Sequence, residues 1–312
     1  MPPKKRAASA DAARLKVLAT ADERSFLTLA LELLGSGSRL GREAALEALE
    51  ARPLPAARDA LRALYLDLDS DGLKRDQAGR MRGAIVRILA AIGDVRDADI
   101  ALRACDCVEM LMGDDSTWEL RVFGLRLLLR TDPDLFPYVA IERLDDVSQW
   151  ANEPANTAFK LLAATGNYPP IYQWLLAGER DSTVVAAAFE VLAEGPRDVV
   201  RRYAARSIDQ AAKRGDEALS TVLAEAIVNR ELEDSYSALR SLMFSKQSDE
   251  LYAYLAMLLA ATNRPALLAI LEEQLHRGRR PALIEAALRV RSTPEQAAIL
   301  KRWEDGDEVS FE

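Results

Sequence analysis

Apolar residues along this chain recur with helical spacing. Phe26, Leu29, Ala30 and Leu33 follow an i, i+3, i+4, i+7 pattern, and the turn residues 35–38 end that segment. Similar segments of about 10 to 18 residues, roughly fifteen in all, continue to the end of the chain. They are separated by the breakers Gly93-Asp94, Thr131-Asp132-Pro133, Gly166-Asn167-Tyr168-Pro169, Gly195-Pro196, Gly215-Asp216, Asn263-Arg264-Pro265 and Ser292-Thr293-Pro294. Connections this short predict that successive helices pair as antiparallel hairpins.

The amino-acid composition also favours a helical protein. Hydrophobic residues make up 49% of the chain but aromatic residues only 6%, and Ala and Leu, which are good helix formers, dominate the apolar set. Strand-forming residues are not gathered into alternating runs bounded by turns. The sequence therefore predicts an all-α protein.

A spacing of a small or apolar residue, three further residues and Leu recurs through the chain. Its Leu members are separated by 40, 39, 34, 30 and then 50 residues, which is in the range of stacked helical repeats. These residues are Leu49, Leu89, Leu128, Leu162, Leu192 and Leu242. We expect one α-solenoid of about seven to eight helix pairs over residues 21–303, irregular near residues 195–235. A basic, partly mobile segment at 1–20 and an acidic tail at 304–312 would flank it.

Two of these segments carry an Arg seven residues before the recurrent Leu. They read Met81-Arg82-x-x-Ile85-x-x-x-Leu89 and Leu120-Arg121-x-x-Gly124-x-x-x-Leu128, and a third, Asp181-x-x-Val184-x-x-x-Ala188-x-x-x-Leu192, has Val185 in place of the Arg. The pattern resembles that of HEAT repeats. The resemblance implies a curved superhelix of paired helices that acts as a binding scaffold, with the small residue allowing close helix approach.

Charge bears on the choice of partner. The chain has 41 basic and 49 acidic residues, and the resulting net charge of −8 disfavours a wide phosphate-binding face. One predicted helix nevertheless concentrates basic side chains that could hold phosphate. They are Arg197, Arg201, Arg202, Arg206, Lys213 and Arg214. Nucleic-acid binding through this helix is the alternative function. The same run of charges is also typical of a solvated helix face whose basic and acidic side chains pair with one another.

The sequence Asp67-x-Asp69-x-Asp71-Gly72 matches the start of a calcium-binding loop between two predicted helices. The match fails at the twelfth position, where Ala78 replaces the bidentate Glu, and Lys74 and Arg75 add positive charge. We therefore disfavour a metal site and expect a turn whose carboxylates cap the next helix. No cofactor is predicted.

Candidate catalytic groups are sparse. His276 is the only histidine, Cys105 and Cys107 fall in one predicted helix, and no nucleotide-binding or hydrolase motif is present. Pairs such as Asp145/Asp146 and Glu272/Glu273 diverge on a helix and are expected to be solvated. The main enzymatic alternative is a resemblance to HEAT-like DNA alkylation-repair glycosylases, which use a basic concave face with Trp and Asp. The nearest available residues are Trp118, Trp150 and Trp174 with Asp145 or Asp146.

The leading hypothesis is a non-enzymatic scaffold that binds a protein or peptide. Aromatic and Arg side chains are the usual anchors of such surfaces, and the candidates are Trp118, Arg121, Trp150 and Trp174. The chain has no secretory signal pattern and no apolar run of membrane-spanning length, so we expect a cytoplasmic protein that does not enter membranes.

Overall fold

The computed structural model describes residues 13, 15, 22–36, 38–148, 152–178, 180–291 and 293–306. Trp150, nearly all of the predicted segment at 1–20 and the tail from residue 307 lie outside the described residues. The chain divides into two compact units, Met1–Thr165 and Gly166–Glu312, which we call the amino-terminal and carboxy-terminal units. The single array over residues 21–303 stays a prediction.

The all-α prediction is confirmed, since eighteen α-helices account for most of the described residues. In the amino-terminal unit they are α1 (Glu23–Leu34), α2 (Arg39–Ala51), α3 (Arg58–Asp69), α4 (Gly72–Arg75), α5 (Arg80–Ile92), α6 (Ala98–Asp106), α7 (Trp118–Thr131), α8 (Phe136–Glu142) and α9 (Ala155–Ala164). In the carboxy-terminal unit they are α10 (Pro169–Leu176), α11 (Ser182–Ala193), α12 (Arg197–Arg214), α13 (Glu217–Asn229), α14 (Tyr236–Phe244), α15 (Asp249–Thr262), α16 (Pro265–Arg277), α17 (Pro281–Arg291) and α18 (Pro294–Asp305). Short 3-10 turns occupy Pro55–Ala57, Gln77–Gly79, Val95–Asp97 and Glu233–Ser235. No helix in the described ranges combines the length and the apolar character needed to cross a bilayer.

The helix ends follow from local chemistry. Asp22, Ser38, Asp181, Asp216, Ser248 and Thr293 cap helix starts with side-chain oxygens that accept backbone N–H bonds. Gly93, Gly215 and Asn263 end α5, α12 and α15 in the left-handed conformation, as the breaker residues predict. One exception to the all-helical pattern is a hairpin of two short strands, Met110–Leu111 and Asp114–Asp115, which we call β1 and β2.

Helix packing within each unit is mostly between near neighbours in sequence. In the carboxy-terminal unit α11 packs on α12 and α13, α13 on α15, and α15 on α16 and α17. In the amino-terminal unit α7 packs mainly on α6 and α5, and α5 also packs on α2 and α3. Each unit has its own apolar core, with Phe26, Leu89 and Leu128 fully buried in the first and Phe189 and Leu271 in the second.

Many polar side-chain contacts join residues about one helix pair apart. Arg87 donates to Glu50 and Arg143 to Asp106, both 37 positions away. In the carboxy-terminal unit Arg201 donates to Asp234 and Arg240 to Glu273, both 33 positions away. These separations fall in the same range as the spacing of the recurrent Leu residues.

Candidate functional site: an anchored hairpin between α6 and α7

The segment between α6 and α7 folds into a tight hairpin. Met110 pairs with Asp115 and Leu111 with Asp114 in antiparallel register. The two residues of the turn, Met112 and Gly113, have φ angles of 53° and 95°. Positive φ at both positions is typical of a type I′ turn, which favours Asn-Gly because other side chains are strained there. Met112 therefore has a backbone conformation that is more favourable for Asn or Gly than for Met.

The hairpin carries exposed apolar side chains. Met112 is 99% exposed, and Met110 and Val108 are each more than half exposed. Asp106 and Asp114 beside them are also exposed. We call Val108, Met110 and Met112 the hairpin tip, which is an apolar surface bordered by carboxylates.

Arg121 anchors the second strand from the first turn of α7. Its side chain is 1% exposed. Its guanidinium donates to the Asp115 carboxylate, to the Cys107 carbonyl oxygen at 2.8 Å and to Asp146 at 2.7 and 3.0 Å. One buried cation thus joins the base of the hairpin to the loop after α8.

Arg82 anchors the other side of the hairpin from the first turn of α5. It is fully buried and pairs with Glu109 at 2.7 Å, Asp76 at 3.2 Å and Asp69 at 3.3 Å. A Cβ atom on Gly72 would lie 1.9 Å from the Glu109 carboxylate and 2.5 Å from the Arg82 guanidinium. Glycine at position 72 therefore leaves the space in which this pair forms.

Hydrogen bonds close the base of the hairpin. The Glu109 N–H donates to the Thr117 hydroxyl at 3.0 Å, and that hydroxyl lies 3.1 Å from the Cys107 carbonyl oxygen. The N–H and hydroxyl of Ser116 both donate to the Glu109 carbonyl oxygen. With the two arginines, these bonds fix the orientation in which the tip is presented.

Burial and pairing shape the charges of this region. Burial alone would raise the pKa of Asp115, but hydrogen bonds from Arg121 and Thr117 hold that pKa below its usual value. Burial would likewise lower the pKa of Arg121, but the hydrogen bonds to Asp115 and Asp146 raise it. Both groups are therefore charged at neutral pH.

The two cysteines lie in different settings. Cys105 is buried inside α6, and burial raises its pKa to about 12. Cys107 lies just beyond the helix end, which corrects its predicted position inside the helix, and its sulfur lies 3.4 Å from the Arg82 guanidinium. Burial outweighs the effect of Arg82 and raises the pKa of Cys107. Both are thiols at neutral pH and are unsuited to act as nucleophiles.

The predicted partner-binding residues have different surroundings. Trp118 is half-buried at the start of α7, and Trp150 lies outside the described residues. Trp174 is 7% exposed in the carboxy-terminal unit, beneath the Arg180 guanidinium at 4.2 Å. Burial places Arg121 in the interior as a support for the hairpin instead of on a partner surface. A role for Trp118 stays a prediction.

The Asp67, Asp69 and Asp71 carboxylates face cations of the chain itself. Asp67 and Asp69 lie in the last turn of α3, not in a loop between helices. Asp67 pairs with Arg75, Asp69 with Arg82 and Arg103, and Asp71 with Lys74. The predicted capping role falls instead to Asp76, whose carboxylate accepts the N–H groups of Met81 and Arg82. Within the described residues there is no group of three or more potential metal ligands.

The predicted basic helix is α12, and its cations divide into two sets. Arg197 donates to the Glu231 carbonyl oxygen at 2.6 Å, and Arg201 pairs with Asp234 and Asp198. The remaining four, Arg202, Arg206, Lys213 and Arg214, are exposed. Arg206 and Arg214 border one pocket, and Arg197 and Arg201 border another. The six residues therefore do not act as one continuous cationic face.

The carboxylate pairs Glu272/Glu273 and Asp145/Asp146 were expected to be solvated, but at least three of these four residues form ion pairs with arginines. Glu272 and Glu273 are nearly buried, and they pair with Arg302 and Arg240. Asp146 pairs with the buried Arg121. Their partners come from helices that the local sequence does not reveal. His276 lies in the last turn of α16.

Comparison of the chain with protein-family models, with curated proteins and with solved structures gave no match. Functional assignment therefore depends on the geometry of the chain itself. The hairpin is the feature that sequence reasoning missed, and its one local signal is Gly113 after a Met-Leu-Met run.

Proposed function

We propose that this chain is a non-enzymatic, HEAT-like scaffold that binds a protein partner through the hairpin tip. The observation that carries the proposal is the fully exposed Met112, held at positive φ on a hairpin fixed by two buried arginines. Met112 lowers the stability of the fold, because its backbone conformation is strained and its side chain gains no burial. A role in binding a partner explains why an apolar residue stands at this position.

Two observations support the HEAT-like architecture. Helices of each unit pack mainly on near neighbours in sequence, as the quasi-one-dimensional contacts of repeat proteins do. Arg82 and Arg121, which hold the same place in the repeat-like pattern, also make equivalent contacts. Arg82 donates to Asp76 and Arg121 donates to Asp115, in each case an aspartate six positions earlier in the chain.

The chemistry of the tip indicates what kind of surface it fits. Val108, Met110 and Met112 offer flexible and polarizable apolar contacts, and Met is common at binding surfaces that accommodate different shapes. Asp114 borders them with negative charge, whereas Asp106 is paired with Arg143. The matching partner surface has an apolar cleft with Lys or Arg at its rim.

The pairing of the candidate catalytic carboxylate favours binding over catalysis. The carboxylate of Asp146, the candidate for a glycosylase-like reaction, is held by Arg121. Nucleic-acid binding by α12 remains the alternative, supported by the exposure of Arg202, Arg206 and Lys213. A steep loss of DNA affinity with salt would favour that alternative over the scaffold.

Affinity capture from a lysate of the source organism, quantified by mass spectrometry, tests the proposal. The bait variant is Met110→Asp/Met112→Asp. We expect the captured partner to fall at least about tenfold, because two desolvated apolar contacts are replaced by buried charge. The double variant should still fold, as circular dichroism would show, since neither side chain packs in the core.

Val290→Asp is the matched control, because Val290 is also an exposed apolar residue but lies on α17. It should capture the same proteins as the unaltered chain. Equal capture by the double variant and the unaltered chain would show that the tip is not the binding surface.

A further inference from the structure

The five methionines that the structure describes differ widely in how much of each residue meets solvent. Met112 is 99% exposed and Met110 is 55% exposed, and both belong to the hairpin tip. Met257 on α15 is 40% exposed, whereas Met81 and Met243 are buried in the cores of the two units. The hairpin tip therefore gathers the two most exposed thioether groups within the described residues.

The structure beneath the tip does not depend on either methionine side chain. Met110 contributes to the hairpin through the backbone pairing of β1 with β2, and Met112 stands in the turn. The hairpin is fixed from below by the ion pairs of Arg82 and Arg121. A Cβ atom on Gly113, beside Met112, would meet no atom within 4 Å, so the turn borders open space. A larger or more polar side chain at either methionine position therefore displaces no core residue.

The thioether is the group of the tip that a peroxide attacks. A lone pair of the Met sulfur attacks one oxygen of hydrogen peroxide, the S–O bond forms as the O–O bond breaks, and proton transfer releases water. The sulfur loses two electrons, which reduce the peroxide. The product is methionine sulfoxide, a polar side chain in place of an apolar one. A reductase with two thiols reverses the reaction, because the thiols become a disulfide and the sulfoxide oxygen leaves as water.

The two cysteines are less open to the same oxidant. Thiols react with peroxides as thiolates, and burial raises the pKa of both Cys105 and Cys107. Cys105 is in addition fully buried. The sulfur atoms best placed for oxidation at neutral pH, among the described residues, are therefore those of Met110 and Met112.

We propose that Met110 and Met112 form a reversible oxidation site, at which a peroxide makes the apolar tip polar and thereby releases the partner. The release rests on the proposed function of the tip, whereas the oxidation itself does not. A sulfoxide oxygen accepts hydrogen bonds, and its transfer from water into an apolar cleft without a donor costs free energy. Oxidation changes two of the three side chains of the tip in this way and leaves Val108 as its apolar contact.

Peptide mapping by mass spectrometry, after timed exposure of the folded chain to hydrogen peroxide, measures the oxidation. We expect Met112 and Met110 to be oxidised about tenfold or more faster than Met81 and Met243, with Met257 at an intermediate rate, because exposure governs the access of the oxidant. In concentrated urea all five should react at similar rates, which is the control for intrinsic reactivity. Oxidation of the tip in the folded chain at no more than the rate of Met81 and Met243 would overturn the proposal.

Affinity capture with an oxidised bait tests the release. The bait is freed of peroxide and mixed with a dialysed lysate, so that the lysate does not restore the methionines. We expect oxidation to lower capture about tenfold or more, and treatment with reductases for both sulfoxide epimers to restore it. Met110→Leu/Met112→Leu keeps an apolar tip without sulfur and should capture the partner equally before and after peroxide. Met257→Leu is the matched control, because Met257 is exposed outside the tip, and capture by this variant should stay sensitive to peroxide.

The possible outcomes distinguish the oxidation site from the binding function. Unchanged capture after oxidation, with capture still lowered by Met110→Asp/Met112→Asp, would mean that the tip binds the partner but is not controlled by oxidation. If neither change lowers capture, the binding function and the release that rests on it both fail. A Leu double variant that loses capture on oxidation as the unaltered chain does would place the responsible group elsewhere and would overturn the proposal. Circular dichroism of the oxidised chain should match that of the reduced chain, and a loss of helix would assign the release to unfolding and contradict the proposal.

Discussion

The chain uses arginine in two opposite ways in its two units. Arg82 and Arg121 are buried at the base of the hairpin, and each contacts at least two carboxylates. Arg202 and Arg206 are exposed on α12 in the carboxy-terminal unit. The first pair holds a loop in place, whereas the second pair lies at the protein surface. Burial among carboxylates therefore distinguishes an arginine that supports the fold from an arginine that lies in solvent.

The largest expected difference between the two settings is in stability. Arg82→Ala leaves the buried Asp76 carboxylate and its neighbours without their cation, and loss of one partner from a buried ion pair typically costs about 3–5 kcal/mol. Arg206→Ala removes an exposed side chain and should change the free energy of unfolding by no more than about 0.5 kcal/mol. Urea denaturation followed by circular dichroism measures both. A similar loss of unfolding free energy for the two substitutions would show that the buried and the exposed arginine contribute equally to stability.

A smaller effect tests whether close packing also holds the base of the hairpin. Gly124 on α7 faces α6, and a Cβ atom there would lie 2.7 Å from the Cys105 backbone nitrogen. Because a backbone atom cannot easily move away, Gly124→Ala should destabilise the protein by about 1–3 kcal/mol. Thermal and urea unfolding would report the loss.

Gly83→Ala is the matched control for that substitution. Gly83 also lies inside a helix, but the nearest atom to its added Cβ is a Phe123 ring carbon at 3.4 Å. The higher helix propensity of Ala is expected to make this change neutral or stabilising by up to about 1 kcal/mol. A destabilisation equal to that of Gly124→Ala would show that helix approach is not limiting at position 124.

The smallest expected effect concerns the hairpin tip. Met112→Asn creates the Asn-Gly pair that a type I′ turn prefers, so the free energy of unfolding should rise by about 0.5–1 kcal/mol. Partner capture should fall, because an apolar contact is lost. Denaturation and affinity capture together measure the two responses. A loss of stability would indicate that Met112 is not strained, and unchanged capture would place the contact elsewhere.

The helices were predictable because their signals are local. Apolar spacing predicted the helical class, and breakers such as Gly93 and Gly215 stand at the observed helix ends. Within α1 the pattern identified Phe26 and Leu29 as buried, although Leu34 takes the buried place expected for Leu33. Such signals depend on a few neighbouring residues, which is why they survive in a single sequence.

The candidate sites were only partly predictable because they depend on distant partners. Arg121 was singled out by its place in a repeat-like pattern, but its burial follows from Asp115 and from Asp146, which lies 25 positions away. The basic character of α12 was evident, yet Arg180, which borders the same pocket as Arg206, comes from another segment. The hairpin escaped notice because each strand has two residues and its turn lacks the usual Asn.

The packing of each helix on its near neighbours has a consequence for how the chain reaches its fold. Contacts that join residues a few tens of positions apart give a low contact order, and proteins of low contact order fold fast because only short loops must close. Closing the hairpin costs little entropy once α6 and α7 have packed together, since these helices hold its two ends close.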